Sequence, residues 1–380
     1  METRKLYYED CHMQEFSAQV IGCETAEKGW NVTLDATAFY PEGGGQACDL
    51  GTLAEANVLD VQEQGHQVVH LCDRPLEVGA TVTGKIDWQR RFDLMQQHSG
   101  EHILSGLIHK KFGYHNVGFH IGTNIMEVDF DGPITWEELL ELEAEANSAV
   151  WGNLPIHCSY PAQEELATIP YRSKKALDWP VRIVEIPRFD TCACCGVHTA
   201  TTGEVGLIKV LSCVKFHQGV RIEMLCGQRA YAYMSEIFEQ NRQVSQLFSA
   251  KPHETAEAAQ RFSQQLVAEK FRSTGLQKRL FDTIAAGYAD CGDVVCFEAD
   301  LPPAAVRELT DKIAAVCGGT AAVFSGTDET GYNICILGES AKEMGTSLTQ
   351  VFSGRGGGKP GTFQGSISAT KEDLLKFFQV

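Results

Sequence analysis

The period of the apolar positions changes three times along the chain, and each change marks a candidate unit. Over residues 1–88 the apolar residues sit in short runs, 19–20, 30–34, 58–62, 67–71 and 81–87, separated by Gly, Asp, Glu and Pro. Short β-prone runs at this spacing predict a small barrel. Over 89–230 the pattern mixes. Residues 91–112 carry Leu94, Ile103, Leu104, Leu107 and Ile108 at helical spacing. A second segment, 135–150, opens on Thr135, places Glu137 and Glu138 in its first turn and repeats Leu139, Leu140 and Leu142, the pattern of a capped amphipathic helix. Runs at 118–121, 125–130, 156–160, 181–186, 205–210 and 220–225 read as strands, so a sheet packed by two helices is expected. Residues 231–288 are helical with one break at Lys251-Pro252, and Leu247, Phe262, Leu266, Phe271 and Leu280 belong to one apolar stripe among charges. That pattern fits a helical hairpin or coiled-coil spacer. Residues 289–380 alternate strand runs (294–297, 321–325, 333–337) with helices (303–317, 340–352, 371–379), an α/β domain. The fold class expected is α+β multidomain.

Composition narrows the picture. With 380 residues and 43% hydrophobic content the chain can build two or three domains with cores of their own. Residues 1–16 lack the apolar centre of a signal peptide and no later run approaches a membrane span, so a soluble cytoplasmic protein is expected. Its 14 cysteines are then expected to stay reduced, mostly as small buried hydrophobes. A net charge of -18 argues against coating nucleic acid by bulk electrostatics, while leaving room for a local basic patch.

Two stretches carry candidate chemistry: Gln97-His98-Ser99-Gly100-Glu101-His102, and far downstream Cys192-Ala193-Cys194-Cys195-Gly196-Val197-His198. His98 and His102, four apart in a helical segment, share one face. Cys194 and His198 have the same spacing, in what Gly196 and the Thr-rich continuation mark as a loop leading into a strand. Imidazole and thiolate are the ligands zinc prefers, in tetrahedral geometry at about 2.0 to 2.3 Å, so the four read as one Zn2+ site. Four protein ligands usually close a structural site, whereas hydrolysis needs a position for water or substrate, and the residues leave both readings open. His98-Ser99-Gly100-Glu101-His102 also satisfies H-x-x-E-H, in which the Glu of a metallopeptidase is general base. Such enzymes complete their site with a carboxylate, and the better partner here is a Cys/His pair. The successive glycines of Phe39-Tyr40-Pro41-Glu42-Gly43-Gly44-Gly45-Gln46 imply either a loop whose backbone approaches something or a wide hairpin turn. Ser353-Gly354-Arg355-Gly356-Gly357-Gly358-Lys359-Pro360-Gly361 fails as a P-loop, since Ser353 stands at the first Gly and Pro360 at the Ser/Thr.

Taken in order, Phe39 to Gln46, Gln96 to His102 and Cys194 to His198 resemble the alanyl-tRNA editing proteins of the AlaX family, free-standing relatives of the editing half of alanyl-tRNA synthetase. The resemblance covers nearly the whole chain and points to the long form. It implies hydrolysis of serine, and also glycine, wrongly esterified to tRNA(Ala), with Zn2+ as cofactor and the mischarged tRNA as partner. Residues 1–88 would then be the barrel-like domain with the Gly-rich motif, 89–230 the zinc-containing editing domain, 231–288 the spacer and 289–380 a tRNA-binding domain. His98, His102, Cys194 and His198 match the family's ligands, with Cys195 an alternative to Cys194. Glu101 stands where relatives usually carry Thr or Gln; it would orient a hydroxyl or a water, or face solvent. Arg221 matches a basic residue that would hold the terminal nucleotide, its alternative being a strand-edge ion pair. Thr37, Gln46 and Gln97 are expected at the substrate or RNA. Arg355 and Lys359 would meet phosphates at the tRNA's outer corner, with Lys110, Lys111, Arg172, Lys174 and Lys175 as further phosphate contacts. The rival readings are a tRNA-binding protein with a structural zinc and, behind it, the metallopeptidase. A homodimer through the spacer or the C-terminal domain stays open.

Overall fold

The computed structural model describes residues 2–173 and 179–379; Lys174 and Lys175 lie outside the described residues. The chain is mixed α+β and divides into two compact units, Met1–Gln243 and Val244–Val380.

In the first unit six antiparallel strands close into a barrel in the order Glu15–Ala26, Gly29–Leu34, Gln67–Cys72, Ala56–Gln64, Gly51–Leu53, Thr81–Ile86. Alternation dictates its interior: Phe16, Ala18 and Val20 point inward from the first strand while their neighbours face water. Val32, Leu34, Leu53, Val61 and Val68 complete the core. His70 is buried among them. Its Nδ1 donates to Val32 O at 3.0 Å, which leaves Nε2 to accept from the Thr37 hydroxyl at 2.8 Å. Thr37 also accepts from Phe39 N and is fully buried. The expectation that Thr37 meets substrate is therefore corrected: it is a polar member of the barrel core.

The long helix α1 (Trp88–Phe112) starts at Asp87, whose side chain accepts from Arg90 N, and stops at Gly113, where φ is 75°. Arg91, fully buried, ties its first turn to the barrel through Asp49, with Nε to Oδ1 at 2.8 Å, and through Ala38 O. The next helix, α2 (Trp136–Gly152), carries a full capping box, Thr135 and Glu138 satisfying each other's backbone N–H. Both helices cover a four-stranded antiparallel sheet ordered Ile208–Phe216, Gly219–Cys226, Met126–Phe130, Asn116–Ile121. Ile103, Leu104, Leu107 and Ile108 of α1 meet Val128, Phe130, Ile222 and Met224 of the sheet. Each such buried side chain contributes about 1.5–3 kcal/mol.

Two sequence expectations change here. The strand expected at 205–210 begins later, because Thr202–Val205 is a 3-10 turn followed by Gly206 at φ 79°. The single sheet is in fact two: His157–Ser159, Ile183–Ile186 and Asp190–Ala193 form a separate three-stranded sheet, and the last of these strands delivers the Cys/His loop.

Helices α3 (Gly227–Leu247) and α4 (Thr255–Ala286) flank the break at Pro252. Much of the expected apolar stripe is exposed, Leu247 and Phe271 included, whereas Phe281 is buried in the core of the second unit. That unit holds a five-stranded sheet ordered Gly292–Glu298, Gly318–Thr327, Gly331–Leu337, Thr362–Ser368, Ser353–Gly357. Its first pair is parallel and the rest antiparallel. The glycine-rich loop expected from 353 onward is instead an edge strand over Ser353–Gly357. Glycine is needed there for close approach: a Cβ at Gly356 would fall 2.6 Å from Gln364 O. Among the described residues no helix is long and apolar enough to cross a membrane.

Candidate metal centre and its cavity

Helix α1 presents His98 and His102 on its buried face, and the loop after Asp190–Ala193 brings Cys194 and His198 to the same point. The four donor atoms lie within 4.8 Å of one another. Cys194 Sγ is 3.5 Å from His98 Nε2. In a tetrahedral zinc site, bonds of about 2.3 Å to sulfur and 2.0–2.1 Å to nitrogen place those two donors about 3.5 Å apart, so this edge already has the length a zinc ion requires.

Each helical imidazole is aimed by a partner behind it. His98 Nδ1 donates to Gln46 Oε1 at 2.8 Å, and His102 Nδ1 donates to Asp190 Oδ2 at 2.9 Å. Both Nε2 atoms are thereby turned toward the shared centre. Asp190 is gripped in turn by Arg172, Nε at 2.7 Å and Nη2 at 2.8 Å. His198 Nε2 is buried with no hydrogen-bond partner among the described residues. An orphaned imidazole nitrogen beside two others and a thiol is what a bound cation would satisfy.

The electrostatics agree. Burial, with His98 adding to it, pushes His198 down to about 3, so its ring is neutral. Burial would raise the Cys194 thiol, but the surrounding imidazoles, His98 first, outweigh it and hold the pKa well below its ordinary value. Burial likewise opposes charge on His102, and the bond to Asp190 followed by the contact with Cys194 overturns this, holding it well above its ordinary value. The thiolate is thus favoured where a divalent cation needs it, and metal binding would displace the imidazole proton. One thiolate and three imidazoles suit Zn2+.

The loop is fixed by Arg182, whose Nη1 donates to Cys194 O and Gly196 O, both at 2.9 Å, and whose guanidinium lies 4.4 Å over the Tyr8 ring. Beside the cluster opens a cavity of about 340 Å³, walled by Gly44, Glu101, Phe119, Arg172 and Arg182 together with His98, His102 and Cys194. Its size is at the lower end of small-molecule sites. Glu101 Oε1 accepts from Ser105 Oγ and Asn116 Nδ2, each at 2.5 Å.

The other sequence-derived candidates fall elsewhere. Gln46 stands behind His98, buried, instead of at a surface. Gln97 is not at the cavity: it exchanges two 2.8 Å bonds with the backbone of Cys226 and locks α1 to the sheet. Arg221 is corrected as well. Val220, Ile222 and Met224 face α1, so strand alternation sends Arg221 to the opposite face. There it pairs with Asp129 at 2.7 and 2.8 Å and with Glu127, over the ring of Phe216. Arg172 is a support for Asp190 instead of a phosphate contact, and Lys111 pairs with Glu141 at 2.9 Å. Cys195 is exposed and outside the donor cluster. Arg355 and Lys359 are exposed in the second unit, Arg355 beside a cavity of about 580 Å³ with Ser325, Thr330 and Ser366. Sequence reading missed Asp190, Arg182, Ser105 and Asn116. Asp190, two residues before the Cys192 stretch, carried a signal, since metal-bound imidazoles usually hydrogen-bond a carboxylate.

Comparison with known proteins defines the class first. Residues 2–90 match the family described as tRNA synthetases class II (A), and residues 181–223, which include Cys194 and His198, match the threonyl and alanyl tRNA synthetase second additional domain. The particular relatives follow from whole-chain likeness. The chain is 28% identical to the alanyl-tRNA editing protein Aarsd1-A of Xenopus laevis over 94% of its own length and 92% of that protein, and 27% identical to Aarsd1 of Mus musculus over 94% and 93%. It is 36% identical to the alanine–tRNA ligase of Ignicoccus hospitalis over 73% of its length, spanning 32% of that ligase. The resemblance carried by the three motifs therefore holds: along nearly its whole length the chain is a relative of the alanyl-tRNA editing proteins.

Proposed function

We propose that the protein is a zinc-dependent deacylase that hydrolyses serine, and also glycine, wrongly esterified to tRNA(Ala), acting in the cytoplasm. The observation that carries the reading is the meeting of His98, His102, Cys194 and His198 at the wall of a 340 Å³ cavity, in a chain related end to end to alanyl-tRNA editing proteins. A bound zinc would supply Lewis acidity at the ester. The chain's own groups do the rest. Gln46 and Asp190 hold the two helical imidazoles in one tautomer and orientation. Arg182 fixes the Cys194–Gly196 backbone, and Phe119, 5.2 Å from the His98 ring, walls the cavity against water. Glu101 places a polar acceptor inside it. An ester is more labile than a peptide, so positioning supplies much of the barrier reduction. Rejection of correctly charged alanine follows from a polar pocket: a methyl group leaves buried hydrogen-bonding groups unmatched. In the same reading the second unit binds the tRNA body, with Arg355 and Lys359 at phosphates.

The closed set of four donors favours one rival, a tRNA-binding protein with a structural zinc. Incubation of the zinc-loaded protein with Ser-tRNA(Ala), Gly-tRNA(Ala) and Ala-tRNA(Ala) separates the two. Rapid release of serine and glycine, sparing of alanine, and loss of both metal and release in a folded His102→Ala variant are expected. Seryl-tRNA decaying at its spontaneous rate in the presence of the wild-type protein would sink the deacylase.

A further inference from the structure

Glu101, Ser105 and Asn116 form a buried polar cluster at the cavity that the metal centre does not use. Glu101 and Ser105 are four apart on α1 and share a face, and Asn116 opens the strand Asn116–Ile121 beside them. All three are buried. Both donors converge on one carboxylate oxygen, Oε1, while Oε2 lies 3.9 Å from His102 Nε2. The cluster has a visible disadvantage: Asn116 Oδ1 is buried with no partner among the described residues. An amide kept there with its carbonyl unmatched is kept for its N–H groups, which fix Glu101.

We infer that Ser105 and Asn116 are positioning residues that hold Glu101 as a rigid, acceptor-only receptor for the side-chain hydroxyl of the aminoacyl group, and that they thereby set a preference for serine over glycine. This rests on the deacylase reading. The chemistry follows from the inventory of donors. An ionised carboxylate only accepts, so its ligand must donate. A serine hydroxyl donates; glycine and alanine side chains bring nothing to that position. With Oε1 already taken by two protein donors, the carboxylate cannot swing, and its remaining capacity faces the cavity beside His102. The competing donor in such a substrate is the α-ammonium, which seryl and glycyl esters share. The two therefore differ in what they predict.

The test uses the full chain, Ser105→Ala and Asn116→Leu, with Ser105→Thr as the conservative variant. Affinity is measured for two amide-linked, hydrolysis-resistant analogues, 3′-seryl-amino-adenosine and 3′-glycyl-amino-adenosine. Hydrolysis of Ser-tRNA(Ala) and Gly-tRNA(Ala) and zinc content are read in parallel. The expected result is a seryl-to-glycyl ratio lowered about ten- to a hundredfold in both binding and hydrolysis, the size of one hydrogen bond to a charged group. Zinc content should stay at the wild-type level and the ratio should be kept in Ser105→Thr. Equal losses for both analogues would assign Glu101 to the α-ammonium and overturn the inference, as would an unchanged ratio in folded, zinc-loaded variants. If the wild type hydrolyses neither ester, the deacylase reading falls alone. The analogue affinities then still decide whether the carboxylate reads the hydroxyl.

Discussion

Gly196→Ala tests the metal centre with a single methyl group. Gly196 adopts a backbone conformation open to any residue, so the substitution strains nothing through φ; the obstacle is space. A Cβ built there lies 2.0 Å from His98 Cε1, 2.4 Å from His98 Nδ1 and 3.2 Å from Gln46 Oε1. Carbon atoms in contact sit about 3.5–4.0 Å apart, so about 1.5 Å must be found. Moving His98 breaks its 2.8 Å bond to Gln46 and its 3.5 Å approach to Cys194. Moving the loop instead disturbs the Gly196 N bond to Cys194 Sγ at 3.3 Å and the Arg182 bonds to Cys194 O and Gly196 O. Either way one donor leaves a site whose bond lengths tolerate about 0.2 Å. Losing an orienting partner alone weakens metal binding about 10–100-fold, so the displaced ligand sets an expectation at the upper end, about 100-fold or 2.7 kcal/mol. The assay is competition for Zn2+ against a chromophoric chelator, with circular dichroism confirming the fold. A folded Gly196→Ala protein that held zinc within threefold of wild type would refute the geometry.

Two further outcomes are expected. Burial lowers the pKa of His70 to about 4 in the folded barrel. The unfolded value is about 6.5, so the unfolded chain binds the proton first as the pH falls. The stability His70 contributes is complete above about 6.5 and is lost between there and 4; from pH 7 to 5 the loss is about 2 kcal/mol. Urea unfolding at both pH values should show this loss in the wild type and not in His70→Gln, and identical pH dependence in the two would remove the assignment. Arg91→Met leaves Asp49 charged in a fully buried position, with an expected destabilisation of about 3–5 kcal/mol. Unfolding within 1 kcal/mol of wild type would show that Asp49 finds other compensation.

What the sequence reveals and what it hides follow from the range of each interaction. His98 with His102, and Cys194 with His198, are legible because a four-residue spacing is a local pattern, and Thr135 with Glu138 is legible for the same reason. The partner behind each imidazole is not. Gln46 lies 52 residues from His98 and Asp190 lies 88 from His102, and no periodicity connects them. Arg221 was misplaced although alternation carried the answer: with Val220 and Ile222 turned to the core, 221 must face away. Ser353–Gly357 reads as a loop because glycine lacks strand propensity, yet close backbone approach to Thr362–Ser368 requires glycine. In both cases a tertiary neighbour overrode the local signal.

The order in which the ribosome delivers these parts has a consequence. His98 and His102 emerge with the helix that packs on the finished barrel, whereas the thiolate follows 96 residues after His98. At about 5–20 residues per second the nascent chain spends roughly 5–20 s with two imidazoles and no sulfur. A pair of imidazoles grips an ion weakly, so capture waits for the Cys194–His198 loop to arrive. Metal uptake then works as a late checkpoint on a nearly complete unit, and a chain truncated before the loop leaves the ion in the cell's pool.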